Sequence, residues 1–449
     1  MSSVAAKPPR QRLGTNYWRL FSATTVSNLG DGLMTVAVPW LASAITRDPL
    51  QIALVTLATR LPWLLFSLPA GVITDRFDRR RLVALMDVAR SIAMFAFAVL
   101  VFANQGSLSM PEDIADGTAS PPGNAGLLLG LLYLTALLIG FAEVLRDNSA
   151  QTLLPSIVAK DRLEKANGRM WGAETVMNNF IGPPLAGVLL GVAFALPFVI
   201  NAGTFAVAAA LVFALAGTFV PKGQTTSGQI AWRAEIGEGF RWLWNHQLLR
   251  SLAIILGGLN AMSATCMAIM VLFAQEILDL DAGRFGLLLT GGAAGAVAGS
   301  LLADRVSRRL GPGTSLFVSM IGMGAGLGVI GLLSIGAAVW VIMTGTGFLI
   351  VLWNIITVSL RQTIIPDHLL GRVNSVYRFF GWGTISLGSL LGGVVVTIGE
   401  PLFGREWALR APFLLAAAIH VVLLVYALPR INTAQIDAAR AAAERSESL

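Results

Sequence analysis

The stretch GVITDRFDRRR, residues 71–81, lies between two long apolar runs and decides how the rest of the chain is interpreted. Its last seven residues hold four arginines and two aspartates, whereas both flanks are nearly free of charge. Flanks this long and apolar are typical of membrane spans, not of the solvated faces of a soluble protein. We therefore interpret residues 71–81 as a tight turn at one membrane face, which its arginines hold on the cytoplasmic side.

The composition of the whole chain also indicates a membrane protein. Of its 449 residues, 55% are apolar and 13% are charged, whereas a globular chain carries roughly a quarter charged residues. The net charge of +7 does not indicate a nucleic-acid partner, because the arginines cluster in short loops beside apolar runs. The single cysteine, Cys266, excludes an internal disulfide, and the three histidines show no metal-ligand spacing. We expect no metal site.

Twelve apolar runs each approach the length of roughly 20 residues that a bilayer core requires. They cover residues 18–45, 50–74, 82–104, 126–153, 166–194, 196–220, 248–278, 284–303, 313–334, 337–364, 371–399 and 411–429. Because lipid-exposed backbone must satisfy its own hydrogen bonds, we expect twelve helices in an all-α membrane protein. If the N-terminus is cytoplasmic, 26 of the 32 lysines and arginines lie on the cytoplasmic side and four lie outside. Both termini are therefore expected in the cytoplasm.

The runs divide the chain into two halves of six. We expect a cytoplasmic tail over residues 1–17, a first bundle over 18–220, a linker over 221–247, a second bundle over 248–429 and a cytoplasmic tail over 430–449. The linker contains an amphipathic segment whose apolar face comprises Trp232, Ile236, Phe240 and Leu243. We expect it to form a surface helix against the membrane or the bundle; a regulatory partner site is the alternative. The loop over residues 105–125 is rich in Gly, Pro and Ser, and we expect it to be flexible.

The two halves repeat the same motifs. Gln151-Thr152-Leu153-Leu154-Pro155 matches Gln362-Thr363-Ile364-Ile365-Pro366, and a second Asp-Arg loop follows the eighth run. The paired loops resemble the signature loop of the major facilitator superfamily, through Gly71, Asp75, Arg76, Arg79 and Arg80 in the first copy and Asp304, Arg305, Arg308 and Arg309 in the second. This resemblance implies two pseudo-symmetric six-helix bundles around a central site. It also implies that the loops bias one state of an alternating-access cycle, so that Asp75→Asn would favour the inward-open state.

Two glycine-rich segments resemble the antiporter motif of the same superfamily. The fifth run contains Gly182, Pro183 and Gly187, and the eleventh contains Gly388, Gly392 and Gly393. Ala186 and Asn178 stand where the family motif has glycine, and Ser389 replaces the proline in the second copy. Small residues at this spacing predict tight helix packing whether or not the chain is an antiporter.

Two further segments are similar to the third drug:proton antiporter family, which includes macrolide and tetracycline efflux proteins and the enterobactin exporter. They are SNLGD at residues 27–31 and GEGFRWLW at residues 237–244. The resemblance implies a multi-pass transporter in a bacterial cell membrane that exports small amphipathic compounds, such as drugs, and we expect it to be monomeric. It also implies that the proton gradient supplies the energy and that no cofactor is needed. Another direction or cargo, such as a siderophore, lipid or nutrient, is compatible with the same fold.

Ionisable groups at membrane depth are costly, so each one requires a function or a partner. Asp31 and Arg60 lie at similar depth on adjacent helices, and we expect them to form a buried pair; the alternative is that they point to different neighbours. Glu143, Arg146 and Asp147 share one helix face, either as an internal ion-pair cluster or with Glu143 as a protonatable group. Asp31 and Glu143 are therefore the candidates for proton coupling. We expect Asp87 and Arg90 to brace the signature loop.

The superfamily resemblance implies that spans 1, 4, 7 and 10 line the substrate cavity. The candidate cavity residues are Asn28, Arg60, Asn260, Met262, Met267, Asn354 and Arg361. Methionines there would give an adaptable apolar wall, although methionine in an apolar helix is more often simple packing. A membrane-embedded enzyme is the alternative of a different class, and it would need convergent nucleophiles, acids or metal ligands that the sequence lacks. We therefore expect a transporter and no catalytic residues.

Overall fold

The computed structural model describes residues 13–74, 76–219 and 232–447, and no strand occurs in this part. The N-terminal half comprises α1 (Thr15–Ile45), α2 (Pro49–Thr74), α3 (Arg79–Ala103), α4 (Pro111–Ala115), α5 (Ala125–Ile157), α6 (Leu163–Thr175), α7 (Gly182–Val192) and α8 (Leu196–Phe213). The C-terminal half comprises α9 (Trp232–Asn245), α10 (Gln247–Ala268), α11 (Met270–Glu276), α12 (Ala282–Leu310), α13 (Pro312–Leu332), α14 (Gly336–Ile364), α15 (Asp367–Ala427) and α16 (Thr433–Glu447).

Ten segments of the described chain are long and apolar enough to cross a membrane. One of them, Arg372–Ala427, is 56 residues long and is broken at Gly404, where φ is 78°. Such a φ favours glycine, so the break follows from the sequence at this position. Helix α1 has 31 residues and is long enough to span, but it carries more polar side chains. The fold is therefore that of an all-α, multi-pass membrane protein, and its helices are consistent with the twelve predicted crossings.

The two halves meet along two helix pairs that close contacts between small residues make possible. Helix α7 crosses α12 where a Cβ on Gly187 would lie 2.3 Å from the carbonyl oxygen of Ala282. Helix α15 crosses α2 where a Cβ on Gly393 would lie 2.8 Å from Leu50 Cα. Both crossings lie near the end of the bundle that carries the α1–α2 turn, which we call the Arg47 side. The opposite end, with residues 76–78, is called the signature-loop side.

Several element boundaries differ from those predicted. Helix α12 continues through the second Asp-Arg motif to Leu310, and the chain turns only at Gly311, where φ is 79°. Residues 400–410 are helical on both sides of Gly404, although a loop was expected. Helix α8 ends at Phe213, seven residues before the predicted end of span 6. The loop over 105–125 contains a 3₁₀ turn and the short helix α4, whose Pro111 and Ile114 are buried.

Two helices outside the spans pack on the C-terminal half. Helix α9 covers the amphipathic part of the linker, and Leu243 is fully buried whereas Phe240 is exposed. Glu238 pairs with Arg372 at 2.6 Å, which joins α9 to the start of α15. In α16, Ile436 is fully buried. The side chains of Trp232 and Ile236, and residues 1–12, 220–231 and 448–449, lie outside the described part.

Candidate functional site

A cluster of five charged side chains, which we call the charge cluster, lies within the N-terminal half: Asp31, Asp87, Arg90, Arg146 and Asp147. Arg90, on α3, is 1% exposed. Its Nη2 donates to Asp31 Oδ1 at 2.5 Å, and its Nη1 lies 3.4 Å from Asp87 Oδ1. Its guanidinium carbon also lies 3.8 Å above the centre of the Phe205 ring. Arg90 thus joins α1, α3 and α8 in one buried contact.

Arg146, on α5, holds the other side of Asp87. Its Nε lies 3.5 Å from Asp87 Oδ1, and its Nη1 donates to Asp147 Oδ1 at 3.0 Å. Asp87 has no exposed surface, and its carboxylate lies between the guanidinium groups of Arg90 and Arg146. The side chains of Asp31 and Asp147 are 28% and 31% exposed, so the two ends of the charge cluster are accessible.

The charge cluster contains more acids than bases. Three carboxylates face two guanidinium groups, which leaves one excess negative charge when all five groups are ionised. Asp87 Oδ2 is buried and has no hydrogen-bond partner. An excess carboxylate at membrane depth is stabilised when it takes up a proton, because uncompensated charge is expensive there. The charge cluster can therefore take up and release one proton.

A cavity of about 420 Å³ lies mainly within the C-terminal half. Helices α10 to α15 form most of it, and Thr35, Asn178, Asn179 and Pro183 close it from the N-terminal half. Its volume falls in the range of small-molecule sites in proteins. No Asp, Glu, Lys or Arg is among its described lining residues. The charge cluster and this cavity are thus separate sites with different chemistry.

On the Arg47 side, a group of four residues, the Arg47 lock, joins the two halves: Arg47, Gln275, Glu276 and Arg405. Arg47 pairs with Glu276 and donates to Gln275 Oε1 at 2.6 Å. Arg405 donates to Glu276 Oε2 at 2.8 Å and to the carbonyl oxygen of Arg47 at 2.9 Å. Burial lowers the pKa of the Arg47 guanidinium, and the facing Glu276 carboxylate opposes that shift. Among the described residues, the hydrogen bonds and ion pairs found between halves involve this lock and its neighbour Ser43.

Comparison with known protein families identifies the family of this chain. The family model described as "Transmembrane secretion effector", a branch of the major facilitator transporters, matches residues 9–447. The chain belongs to this family. It is a major facilitator transporter and not an enzyme.

Relatives of this transporter include proteins named as exporters. It is 26% identical to the enterobactin exporter EntS of Citrobacter koseri, over 84% of each chain. It is 28% identical to the multidrug efflux pump Tap of Mycobacterium tuberculosis, over 92% of this chain and 90% of that one. Among solved structures, a variant of the nucleoside transporter NupG has a TM-score of 0.71 at 14% identity, covering 92% of this chain and all of that one. The structural likeness establishes the shared fold.

The predicted pair between Asp31 and Arg60 is wrong in this transporter. Asp31 pairs with Arg90 instead. Arg60 is exposed and forms no ion pair with any described residue. Asp87 and Arg90, which we expected to brace the signature loop, belong to the charge cluster. Similar depth on adjacent helices was not sufficient, because the rotation of each helix decides which side chains meet.

The remaining candidates for proton coupling and cavity lining fall into distinct places. Glu143 is partly buried one turn before Arg146 and forms no ion pair with a described residue. Asn260, Met267 and Asn354 line the cavity, whereas Met262 packs in the core. Asn28 accepts a hydrogen bond from Asn178 at 3.2 Å. Arg361 lies over the Tyr377 ring at 4.5 Å and does not line the cavity.

The signature loop is bound to its own half. Asp78 caps α3 by accepting from the backbone N–H of Arg81 at 3.0 Å. Arg79 donates to the carbonyl oxygen of Thr152 at 3.1 Å, and Arg80 donates to that of Leu215 at 2.6 Å. Asp75 lies outside the described residues, as do the surroundings of Gly71. In the second copy, Asp304 pairs with Arg308 on an exposed helix face, and Arg305 and Arg309 are also exposed.

The glycines of the antiporter-like motif lie at helix crossings in both halves. A Cβ on Gly182 would lie 2.5 Å from the backbone of Gly32 on α1. On α15, a Cβ on Gly388 would lie 2.1 Å from Ala261 O, and one on Gly392 would lie 2.3 Å from Thr265 O. Helix packing therefore accounts for these glycines. Just before Gly182, residues Val176–Ile181 form a π-helical turn that places Asn178 against both Asn28 and the cavity.

Sequence reasoning missed several cavity residues, of which Trp353 and His420 are the most informative. Both are buried and line the cavity. His420 is an ionisable residue inside an apolar run, and that signal alone marks it as a candidate. Trp353 adjoins the predicted Asn354, but nothing in its sequence context separates it from a packing residue.

Proposed function

We propose that this transporter exports small amphipathic compounds and that inward proton flow drives the export. The names of its relatives, multidrug efflux pump and enterobactin exporter, support an export role. The cavity supports a small-molecule cargo, because it combines apolar walls with a few polar side chains.

The observation that carries proton coupling is the acid excess of the charge cluster. Asp31 and Asp147 each combine a buried arginine partner with an accessible carboxylate, and of the two only Asp31 lies on a helix that also lines the cavity, α1. When Asp31 is ionised, it pairs with Arg90; when it is protonated, that attraction weakens and α1 is less firmly held to α3. Loading and release of the proton can therefore change the contacts of α1, which also contributes Thr35 to the cavity wall.

The state described here supports an inward-facing transporter. The Arg47 lock ties the halves together at one end, and we assign that end to the outside because the basic loops gather at the other. A bacterial homologue of ferroportin matches with a TM-score of 0.69 in its inward-facing state and 0.55 in its outward-facing state. This difference favours the same state here. Both termini then lie in the cytoplasm of a bacterium, and the protein works in the inner membrane as a monomer without a cofactor.

A siderophore is the second candidate cargo, since relatives named as enterobactin exporters cover most of this chain. It would use the same cycle and the same proton pathway. A transport assay with a catechol siderophore beside drug-like compounds separates the two cargoes.

The proposal is tested in everted inner-membrane vesicles that hold a proton gradient reported by a quenched acridine dye. Adding chloramphenicol, ethidium or a catechol siderophore should release protons and restore dye fluorescence for at least one compound. Asp31→Asn should abolish the response, because the amide cannot carry the proton. Asp279→Asn is the control: Asp279 is an exposed acid away from both sites, so its variant should respond like the wild type. A response that persists in the Asp31 variant would contradict the assignment of the proton site.

A further inference from the structure

We infer that the cavity binds an uncharged, largely apolar molecule that carries hydroxyl or amide groups. The inference rests on the proposed function only in taking this cavity as the transport site. Three polar side chains on three different elements have unused hydrogen-bonding capacity at the cavity: Trp353, His420 and Asn178. Together they specify the chemistry of the ligand.

Trp353, on α14, supplies a hydrogen-bond donor. It is 2% exposed and lines the cavity. Its indole Nε1 is enclosed and has no hydrogen-bond partner. An indole N–H can only donate, and a buried donor without an acceptor is costly. Because Nε1 is enclosed, a hydroxyl or carbonyl oxygen of a ligand reaches it only when the indole turns towards the cavity, and that contact would remove the cost.

His420, on α15, supplies an acceptor. It is 4% exposed, and its Nδ1 lies 2.7 Å from the carbonyl oxygen of Ala416. Because a carbonyl oxygen only accepts hydrogen bonds, Nδ1 carries the proton and donates it. The neutral ring then leaves the lone pair of Nε2 unused. Nε2 forms no hydrogen bond with a described residue, and unlike Trp353 Nε1 it is not fully enclosed. Since His420 is buried from solvent but lines the cavity, Nε2 is open towards the cavity.

The surroundings of His420 favour its neutral form. Helix α13, whose Gly324 packs against the ring, contains no ionisable residue. Helix α10 contributes only Arg250 and Cys266, and α14 contributes only Arg361, which lies over Tyr377. No carboxylate is therefore placed to stabilise an imidazolium. A hydrogen-bond donor on the ligand is the partner that Nε2 can accept without charge.

Asn178 supplies a second acceptor from the N-terminal half. Its Nδ2 donates to Asn28 Oδ1, which leaves its own Oδ1 enclosed and without a partner. Asn178 lies in the π-helical turn between α6 and α7, and such turns are frequent at functional sites. Once the enclosed amide oxygen turns towards the cavity, a ligand held by Asn178 and His420 would bridge the two halves of the transporter.

The rest of the cavity excludes charge. Met267, Met270, Met323 and Phe413 form apolar wall, and the described lining contains no carboxylate that could pair with a cation. A cationic ligand would lose its hydration here without gaining a counter-charge. The acids lie instead in the charge cluster of the other half. Cargo selection and proton binding are thus assigned to different residues.

The test is direct binding to the purified full-length transporter in detergent, measured by the emission shift of dansyl probes without any gradient. Three probes share one fluorophore: N-(2-hydroxyethyl)dansylamide is neutral and donates, its trimethylammonioethyl counterpart is cationic, and N,N-diethyldansylamide is neutral without a donor. The hydroxyethyl probe should bind more than about tenfold more tightly than the cation, because the cavity cannot compensate a charge.

Substitutions identify the groups that hold the hydroxyethyl probe. Trp353→Phe and His420→Asn should each weaken its binding about three- to tenfold, the effect of losing one hydrogen bond. His420→Asn should leave the affinity for the diethyl probe nearly unchanged, because that probe has no donor. Asn keeps a donor near the position of Nδ1, whereas His420→Gln places a polar group near Nε2 and should restore binding. Trp340→Phe is the control, because Trp340 is on the same helix but outside the cavity, where it donates to Thr290.

The inference is overturned if the cationic probe binds as tightly as the hydroxyethyl probe, if the latter does not bind, or if both cavity variants retain full affinity. Thermal unfolding of each variant, followed by the reactivity of the single buried cysteine, verifies that it is folded. A transporter that binds as expected but moves no protons in vesicles would contradict the proposed export function and leave the binding site intact.

Discussion

Arg90 illustrates how much of this fold depends on one residue. Its guanidinium contacts Asp31, Asp87, Ser27 and the face of Phe205, and it is almost wholly buried. Desolvating an arginine is expensive, and these contacts offset the cost. Removal of the arginine would leave Asp87 buried with only Arg146 as a partner.

The first prediction is therefore that Arg90→Gln strongly destabilises the protein. We expect a loss of about 3–5 kcal/mol, which is typical when one partner of a buried ion pair is removed. The measurement is thermal unfolding in detergent, reported by thiol labelling of Cys266. Arg284→Gln is the matched control, since the Arg284–Asp281 pair is 68% and 58% exposed and should contribute less than about 1 kcal/mol. Equal melting temperatures for the two variants would refute this view of the charge cluster.

For a single residue, the sequence shows that burying its charge in the membrane is costly, but it does not show which residue pairs with it. The rule that intramembrane charges require a reason identified Asp31 and the Glu143–Asp147 segment, and the structure places Asp31, Arg146 and Asp147 in one cluster. It could not pair Asp31 with Arg90, because that choice depends on helix rotation. The rule could not show that Trp353 and His420 have polar atoms without a hydrogen-bond partner, since that depends on the assembled cavity.

At the scale of elements, helices α7 and α12 illustrate why glycine is required at helix crossings. The glycine pattern predicted tight packing, and the backbone approaches at Gly187 and Gly393 agree with it. The limits of the twelve runs came from apolar length and were mostly close. They failed where helices outlast the membrane, as in α12, or where a single glycine breaks a longer helix, as at Gly404.

A second prediction concerns the α7–α12 crossing. In Gly187→Ala the new Cβ would lie 2.3 Å from Ala282 O and 2.5 Å from Gly283 Cα, so the two halves must separate. We expect a loss of about 1–3 kcal/mol, as in other overpacked interfaces. Gly191→Ala, one turn further on the same helix, meets nothing within 4 Å. It should be neutral or slightly stabilising, because alanine favours helix. A stable Gly187→Ala protein with an unchanged melting temperature would argue against the crossing.

At the scale of the whole molecule, the Arg47 lock is the feature that holds the two halves in one arrangement. It places Glu276 between two arginines, one from each half. The sequence predicted both halves and their repeat, but it could not predict this contact, because the three charged residues are distant in the chain. The conformational state of a transporter is a property of such contacts between halves.

The third prediction is that Glu276→Gln opens the Arg47 side. Without the carboxylate, Arg47 and Arg405 repel each other, so the closed state loses stability relative to the open one. Spin labels at Gly106 and Phe403, one on each half and both exposed, should report a longer distance by pulsed EPR. Glu400→Gln removes a partner of Arg405 within its own half and should change the distance far less. An unchanged distribution in Glu276→Gln would show that the lock does not hold the halves together.

Proton-coupled export requires that cargo bound in the cavity weakens proton binding at the charge cluster, and that the proton weakens cargo binding in return. The most direct measurement adds the hydroxyethyl dansyl probe to weakly buffered, purified transporter and follows proton release with a pH indicator. Because coupling between two ligands is reciprocal, we expect about one proton to be released per bound probe in the wild type and none in Asp31→Asn. Binding of the probe without proton release in the wild type would contradict the claim.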